Sequence, residues 1–307
     1  MGKWTGRKVA VLHGGLSSER EVSLATGKAC AEALRSRGYD VLLLDVDLSA
    51  AARLHAEGVA VAFNALHGRY GEDGVIQGLL ESMGIPYTGS GVLASALGMD
   101  KPLSKLLFRE AGLRVIEYRH FPPGRAAAIG VADLPFGLPA VVKPGAEGSS
   151  VGVHVVRDAA ALSSACGDAA RYKGGVVVER YVKGTEVNVA VLDGRALGAI
   201  EIVPSREFYD YVAKYTPGMT QYFYPARLPA ADVAAVSAAA EAAYAALGCA
   251  GVARVDFIVA AGGPYILEVN TLPGMTATSL VPKIAAGNGI SFPDLCERLL
   301  EGAALKG

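Results

Sequence analysis

Arg254, Asp256, Glu268 and Asn270 are the residues whose types and spacing say most about chemistry. They sit in two β-rich runs on either side of Gly262-Gly263-Pro264, a sequence signal for antiparallel pairing. Side chains alternate along a strand, so Arg254 and Asp256 share one face, as do Glu268 and Asn270. A turn centred near Gly262 sets Asp256 opposite Glu268 and Arg254 opposite Asn270. Opposed residues bring their Cβ atoms to roughly 4.5–5.5 Å, and two carboxylates that close repel unless a cation lies between them. Oxygen ligands without Cys or His suit Mg²⁺ or Mn²⁺ better than zinc. Val255, Phe257, Leu267 and Val269 form the other face and are expected in a core. The competing reading is an edge hairpin with a solvated polar face, on which Arg254 only balances charge.

Four further segments carry candidate chemistry. His13–Ser23 follows a strand and opens a helix, with Ser18 and Glu21 spaced as a capping box. Free N–H groups there suit an anion, whereas Glu19 suits an ammonium; a plain βα turn is an equal reading. Lys143–Gly152 is glycine-rich, and its amides with the Lys143 charge suit phosphate oxygens, although it is no Walker A loop and fits a hairpin turn equally. Val176–Glu186 ends a strand in Glu179, Tyr181 and Val182, which offer backbone groups to a purine edge, with Glu186 for ribose hydroxyls; an ordinary amphipathic strand fits too. His67 lies in the glycine-rich loop Leu66–Gly74.

These segments need elements to position them. Strand candidates Lys8–Leu12, Val41–Val46 and Val59–Leu66 alternate with helix candidates Ser18–Arg37, Gly74–Met83 and one from Ala94, which argues for a parallel, helix-covered sheet. From Asp100 a second unit contains a helix Lys105–Ala111, strands Ala140–Pro144, Val151–Val156 and Val176–Val182, and an alanine-rich helix reaching Tyr172. From Thr185 a third opens with a hairpin, Glu186–Leu192 and Ala196–Pro204, around Asp193-Gly194. Residues 205–229 lose periodicity but hold Tyr209, Tyr211, Tyr215, Tyr222, Tyr224 and Lys214, which reads as a lid. Ala230–Leu247 is an alanine-rich helix with Val233, Val236, Ala240, Ala243 and Leu247 on one face and Gly248 as its stop. A last helix covers Pro293–Leu300.

The whole chain has 307 residues, 51% of them hydrophobic, which sets about two or three domains with substantial cores. No apolar run is expected to reach the roughly 18–20 residues of a membrane span, and the N-terminus does not read as a secretory signal. A net charge of −1 without a basic block gives no pointer to nucleic acid. Cys30, Cys166, Cys249 and Cys296 are scattered and read as buried, reduced thiols of a cytoplasmic protein.

In order and spacing, the motifs together resemble the D-alanine–D-alanine ligases of the ATP-grasp superfamily, from Val9 to about Leu300. The resemblance is carried by Ser-Glu-Arg-Glu-Val-Ser-Leu (Ser18–Leu24), Ala-Leu-His-Gly-Arg (Ala65–Arg69), Gly-Glu-Asp-Gly (Gly71–Gly74), Pro-Tyr-Thr-Gly-Ser-Gly (Pro86–Gly91), Met-Asp-Lys (Met99–Lys101), Glu-Gly-Ser-Ser-Val-Gly from Glu147, and Glu-Val-Asn-Thr-Leu-Pro-Gly-Met-Thr from Glu268. It implies an α/β and α+β ATP-grasp fold: a parallel-sheet unit over residues 1–100, then α+β units over 101–184 and 185–307 that enclose the nucleotide.

The resemblance also implies roles. Asp256, Glu268 and Asn270 match the ligands of two Mg²⁺ ions, with Mn²⁺ the alternative ion. Lys101 and Lys143 match phosphate-binding lysines, while Glu179, Tyr181, Val182 and Glu186 match adenine and ribose contacts. Glu19 matches the group holding the first D-alanine's ammonium, Ser149 and Tyr215 its hydrogen-bonded partners, and Lys214 a lid lysine reaching the γ-phosphate. Arg254 and the Gly274 N–H match the oxyanion donors. Val22, His67, Ser279 and Leu280 match substrate contacts, the last two at the second substrate's carboxylate. In relatives that make a D-lactate ester a phenylalanine takes the Tyr215 position, so this tyrosine implies the dipeptide. A homodimer acting on D-alanine and ATP follows by the same resemblance. The rival readings are another ATP-grasp carboxylate–amine or D-alanine–D-lactate ligase, and a non-catalytic nucleotide-binding module.

Overall fold

The computed structural model describes residues 2–205 and 218–307. Its first sheet is parallel, with β1 (Lys8–His13) between β2 (Asp40–Asp45) and β3 (Val61–Asn64). Continuous apolar runs suit strands covered on both faces, and Val9 to Leu12 are fully buried. The helices of this part are α1 (Arg20–Ser36), α2 (Ala50–Ala56), α3 (Val75–Ser82) and α4 (Val92–Met99). α1 lies so close to β1 that a Cβ on Gly27 would sit 2.2 Å from the Cβ of His13. The capping box expected from Ser18 and Glu21 does not form. α1 starts at Arg20 with Glu19, not Ser18, at the cap position and no side-chain cap bond; the neighbouring Ser17 accepts from the Glu19 N–H at 3.1 Å and donates to the His67 carbonyl at 2.6 Å.

α5 (Lys101–Glu110) begins ahead of the expected Lys105. Asp100 accepts from the Leu103 N–H at 2.9 Å and Pro102 occupies the first turn, two start signals that outweigh the weak periodicity there. The second sheet is antiparallel, in the order β4 (Tyr118–Phe121), β7 (Val176–Arg180), β5 (Ala140–Pro144), β6 (His154–Val156), and α6 (Ala159–Ala169) packs on it. The strand expected from Val151 is only His154–Val156, because Ser149, Ser150 and Gly152 take positive φ of 51°, 57° and 66°.

A third, antiparallel sheet runs β10 (Thr220–Phe223), β9 (Arg195–Pro204), β8 (Thr185–Leu192), β11 (Val252–Ala260), β12 (Gly263–Asn270). β10 corrects the expectation that 205–229 is aperiodic throughout, since its four residues pair with β9. α7 (Ala230–Leu247) covers this sheet, burying Val236, Ala240, Ala243 and Leu247 against Val189, Val255 and Phe257, while Val233 is only half-buried. By length and composition α7 is apolar enough to cross a membrane, contrary to the expectation that no run reaches that length. Its alanine content explains this, and its buried face belongs to the core. Gly248 ends it at φ 69°. α8 (Leu280–Gly287) and α9 (Phe292–Glu301) complete the chain, with Leu295 and Leu299 packed in one cluster with Leu34 of α1.

The β11–β12 hairpin has the expected register, with Arg254 opposite Asn270 and Asp256 opposite Glu268. A bulge then shifts the pairing, so that Phe257 faces Ile266. Ile266 therefore enters the core at 1% exposure, and Leu267, expected there, lines a cavity instead. Cys30, Cys166 and Cys296 are buried thiols, whereas Cys249 is half-buried.

Candidate active site

Two adjoining cavities meet at the hairpin. One, about 430 Å³, lies where the start of α1, the loop after β3, the glycine-rich loop and the segment before α8 converge. The other, about 670 Å³, lies between the second and third sheets. Lys101 and Glu268 line both.

The junction cavity gathers Glu19, Val22, His67 and Ser149 on one side. Ser149 Oγ donates to Glu19 Oε1, and the strained backbone that allows this is typical of residues held for function. His67 is buried, its Nε2 lies 3.0 Å from Thr26 Oγ1, and burial followed by the nearby Arg254 charge lowers it to about 4. It is therefore a neutral imidazole near pH 7. Arg254, Asn270, Gly274, Ser279 and Leu280 stand on the other side. Ser279 is the cap residue of α8 and lines the cavity with Leu280, so the start of this helix borders it, a setting suited to a carboxylate. Ser279 Oγ accepts from the Thr276 N–H at 3.0 Å.

The inter-sheet cavity gathers Lys143, Glu179, Tyr181, Val182, Glu186 and Asp256. Glu179 is 2% exposed, and its Oε1 meets Lys105 Nζ at 2.6 Å and Lys143 Nζ at 2.9 Å. Burial pushes this carboxyl up, but the two ammoniums outweigh it and hold it below the usual range. Lys101 Nζ lies 2.6 Å from the Glu147 carbonyl and 3.2 Å from Glu268 Oε2, tying the glycine-rich loop to the hairpin.

Asp256, Glu268 and Asn270 are brought together as a set of hard oxygen donors, which fits Mg²⁺ or Mn²⁺. In the protein alone these acids also have cationic partners. Arg254 grips Asp256 through Nε at 2.7 Å and Nη2 at 2.8 Å, and Lys101 meets Glu268. Charge balance by Arg254, the plainer of the two hairpin readings, thus coexists with the donor set.

Lys214 and Tyr215 lie outside the described residues. Three residues beyond the sequence reading also belong to the neighbourhood. Lys105 is fully buried and gave no motif signal. Glu72, in the expected Gly-Glu-Asp-Gly loop, lines the junction cavity, and burial with the charge of Glu19 pushes it up to about 8. Lys283 faces that cavity from α8, with its Nζ 4.2 Å from the Tyr222 ring centroid.

Two antiparallel sheets closing on a lysine-lined cavity, beside a smaller one holding an acid, an arginine and a helix N-terminus, define an ATP-grasp ligase. Family models described as "D-ala D-ala ligase C-terminus" and "D-ala D-ala ligase N-terminus" match residues 107–301 and 49–90. The chain is 74% identical to the D-alanine–D-alanine ligase of Anaeromyxobacter sp. (strain K) over the full length of both. It superposes on a crystal structure of the Bacillus anthracis D-alanine–D-alanine ligase with a TM-score of 0.87, at 39% identity and 97% coverage of both chains. The same enzyme complexed with ATP gives 0.85, at 38% identity and 96% coverage of both. The chain belongs to the D-alanine–D-alanine ligase family.

Proposed function

We propose that this chain joins two D-alanine molecules into D-alanyl-D-alanine, with ATP converted to ADP and phosphate, as a step toward peptidoglycan precursors. The carrying observation is the convergence of Glu19, Ser149, Arg254 and the α8 N-terminus on one cavity that Lys101 and Glu268 connect to the other. A carboxylate is a poor electrophile and needs activation. One carboxylate oxygen of the first D-alanine attacks the γ-phosphorus of ATP, and ADP leaves. The amine of the second D-alanine then attacks the carbonyl of this acyl phosphate, loses a proton, and phosphate departs with the original carboxylate oxygen.

Each residue has a place in that sequence. Glu19, oriented by Ser149, holds the first ammonium. Val22 and His67 shape that side of the pocket, and the family resemblance gives Tyr215 the role of a second hydrogen-bonding partner there. Ser279 and Leu280 at the α8 N-terminus hold the second substrate's carboxylate. Lys101 and Lys143 bind phosphate oxygens, and Lys214 reaches the γ-phosphate. Glu179, Tyr181, Val182 and Glu186 take the nucleoside. Arg254 and the Gly274 N–H stabilise the tetrahedral oxyanion. Asp256, Glu268 and Asn270 would hold divalent cations, which neutralise phosphate charge when bound. Units over 1–100, 101–184 and 185–307, a homodimer, cytoplasmic residence and no nucleic-acid or membrane partner complete the proposal.

The activation step is tested with D-alanine labelled with ¹⁸O in its carboxylate. Label is expected in the released phosphate; dipeptide formed with unlabelled phosphate would contradict the acyl-phosphate route.

A further inference from the structure

Lys105 shares Glu179 with Lys143 but has no place in the reaction sequence above. It is completely buried on α5 and does not line the cavity, whereas both Glu179 and Lys143 do. Its Nζ lies 2.6 Å from Glu179 Oε1, the same oxygen that Lys143 Nζ approaches at 2.9 Å. Also near it are the Leu267 carbonyl at 3.5 Å and the Tyr118 ring, with its centroid at 5.6 Å, and the charge of Glu268 acts on it as well. Across the cavity, Glu268 is occupied by Lys101.

The charge count on this wall is informative. With Lys143 alone, Glu179 would form a closed pair of zero net charge, strongly attracted in a low dielectric. With Lys105 added, two ammoniums share one carboxylate, and these three residues together carry one net positive charge. A lone buried lysine is costly to hold charged, and burial lowers Lys105 to about 8 against the pull of Glu179.

We propose that Lys105 is a positioning residue for the nucleotide: by sharing Glu179 Oε1 it fixes that carboxylate and leaves the Lys143 charge available to the polyphosphate. The proposal rests on reading the inter-sheet cavity as the ATP site. Lys105→Met should let Glu179 close fully on Lys143 and so weaken ATP binding, while the D-alanine pocket stays intact.

The test is steady-state ADP release by the full chain, wild type against Lys105→Met, with ATP and D-alanine varied separately. Whether the wild type releases ADP at all tests the ligase reading separately from the comparison of the variants. Given an active wild type, KM for ATP is expected to rise about tenfold, the usual scale for losing an outer partner of a binding group, with KM for D-alanine nearly unchanged. A lowered melting temperature with unchanged KM for ATP would reduce Lys105 to a structural residue and overturn the proposal. Should Lys105→Met not fold, Glu179→Gln is compared with the Lys105→Met/Glu179→Gln double variant, which has no unpaired buried carboxylate. Equal KM for ATP in those two supports action through Glu179, and a further tenfold rise in the double overturns it.

Discussion

Arg254 holds two positions at once: it faces the junction cavity and it grips Asp256 through Nε and Nη2, one edge of its guanidinium. Both residues are largely buried, so removing the arginine strands a charge. Arg254→Ala is expected to lose about 3–5 kcal/mol of stability in metal-free buffer, the range for breaking a buried pair. Mg²⁺ should restore more of the melting temperature in the variant than in the wild type, since a cation can take the arginine's place beside Asp256. ADP release should stay at least about a hundredfold down even when the variant is folded by Mg²⁺, the scale of a lost oxyanion donor. A folded variant with near-normal turnover would remove Arg254 from the chemistry. Glu72 gives a pH prediction. Its folded-state value is raised to about 8, by burial and then by Glu19, so the folded chain holds its proton where the unfolded chain has lost it. Its contribution is therefore present at pH 4 and lost as pH rises through about 8. Without divalent cations, Glu72→Gln should be more stable than wild type at pH 8.5 and show less of this decline; parallel thermal-unfolding profiles for the two would contradict it.

At the scale of elements, α1 packs closely on β1 at Gly27. Gly27→Ala places a methyl carbon on His13, whose neighbours are buried, so the helix or the strand must move. A loss of about 1–3 kcal/mol is expected in urea unfolding, and KM for D-alanine should rise because the start of α1 carries Glu19. Unchanged values for both would mean that the contact relaxes freely. The same element scale separates what was legible in the sequence from what was not. The hairpin register followed from the Gly262-Gly263 turn and strand alternation, which are local. The bulge that swaps Ile266 for Leu267 in the core was not legible, because nothing in that run of residues distinguishes two adjacent aliphatics. Lys105 had the same difficulty: a lysine on a helix reads as solvated until β7 brings Glu179 beside it. The capping box failed because α1 begins one residue later than Ser18 requires, with Glu19 at the cap position.

At the scale of the whole molecule, three sheets bring together residues from Glu19 to Ser279, and no segment alone carries the chemistry. Lys101 is the clearest joint, since it reaches the glycine-rich loop, the hairpin and both cavities. On the proposed reading, the two cavities hold a nucleotide and a small substrate pair. The central claim is tested most directly by measuring ADP and dipeptide together, with ATP, Mg²⁺ and either D-alanine, L-alanine, or D-alanine with D-lactate. D-alanine alone should yield one D-alanyl-D-alanine for each ADP. L-alanine should yield neither product, and D-lactate should not displace the second D-alanine at neutral pH. ADP release without dipeptide, or equal turnover with L-alanine, would contradict it.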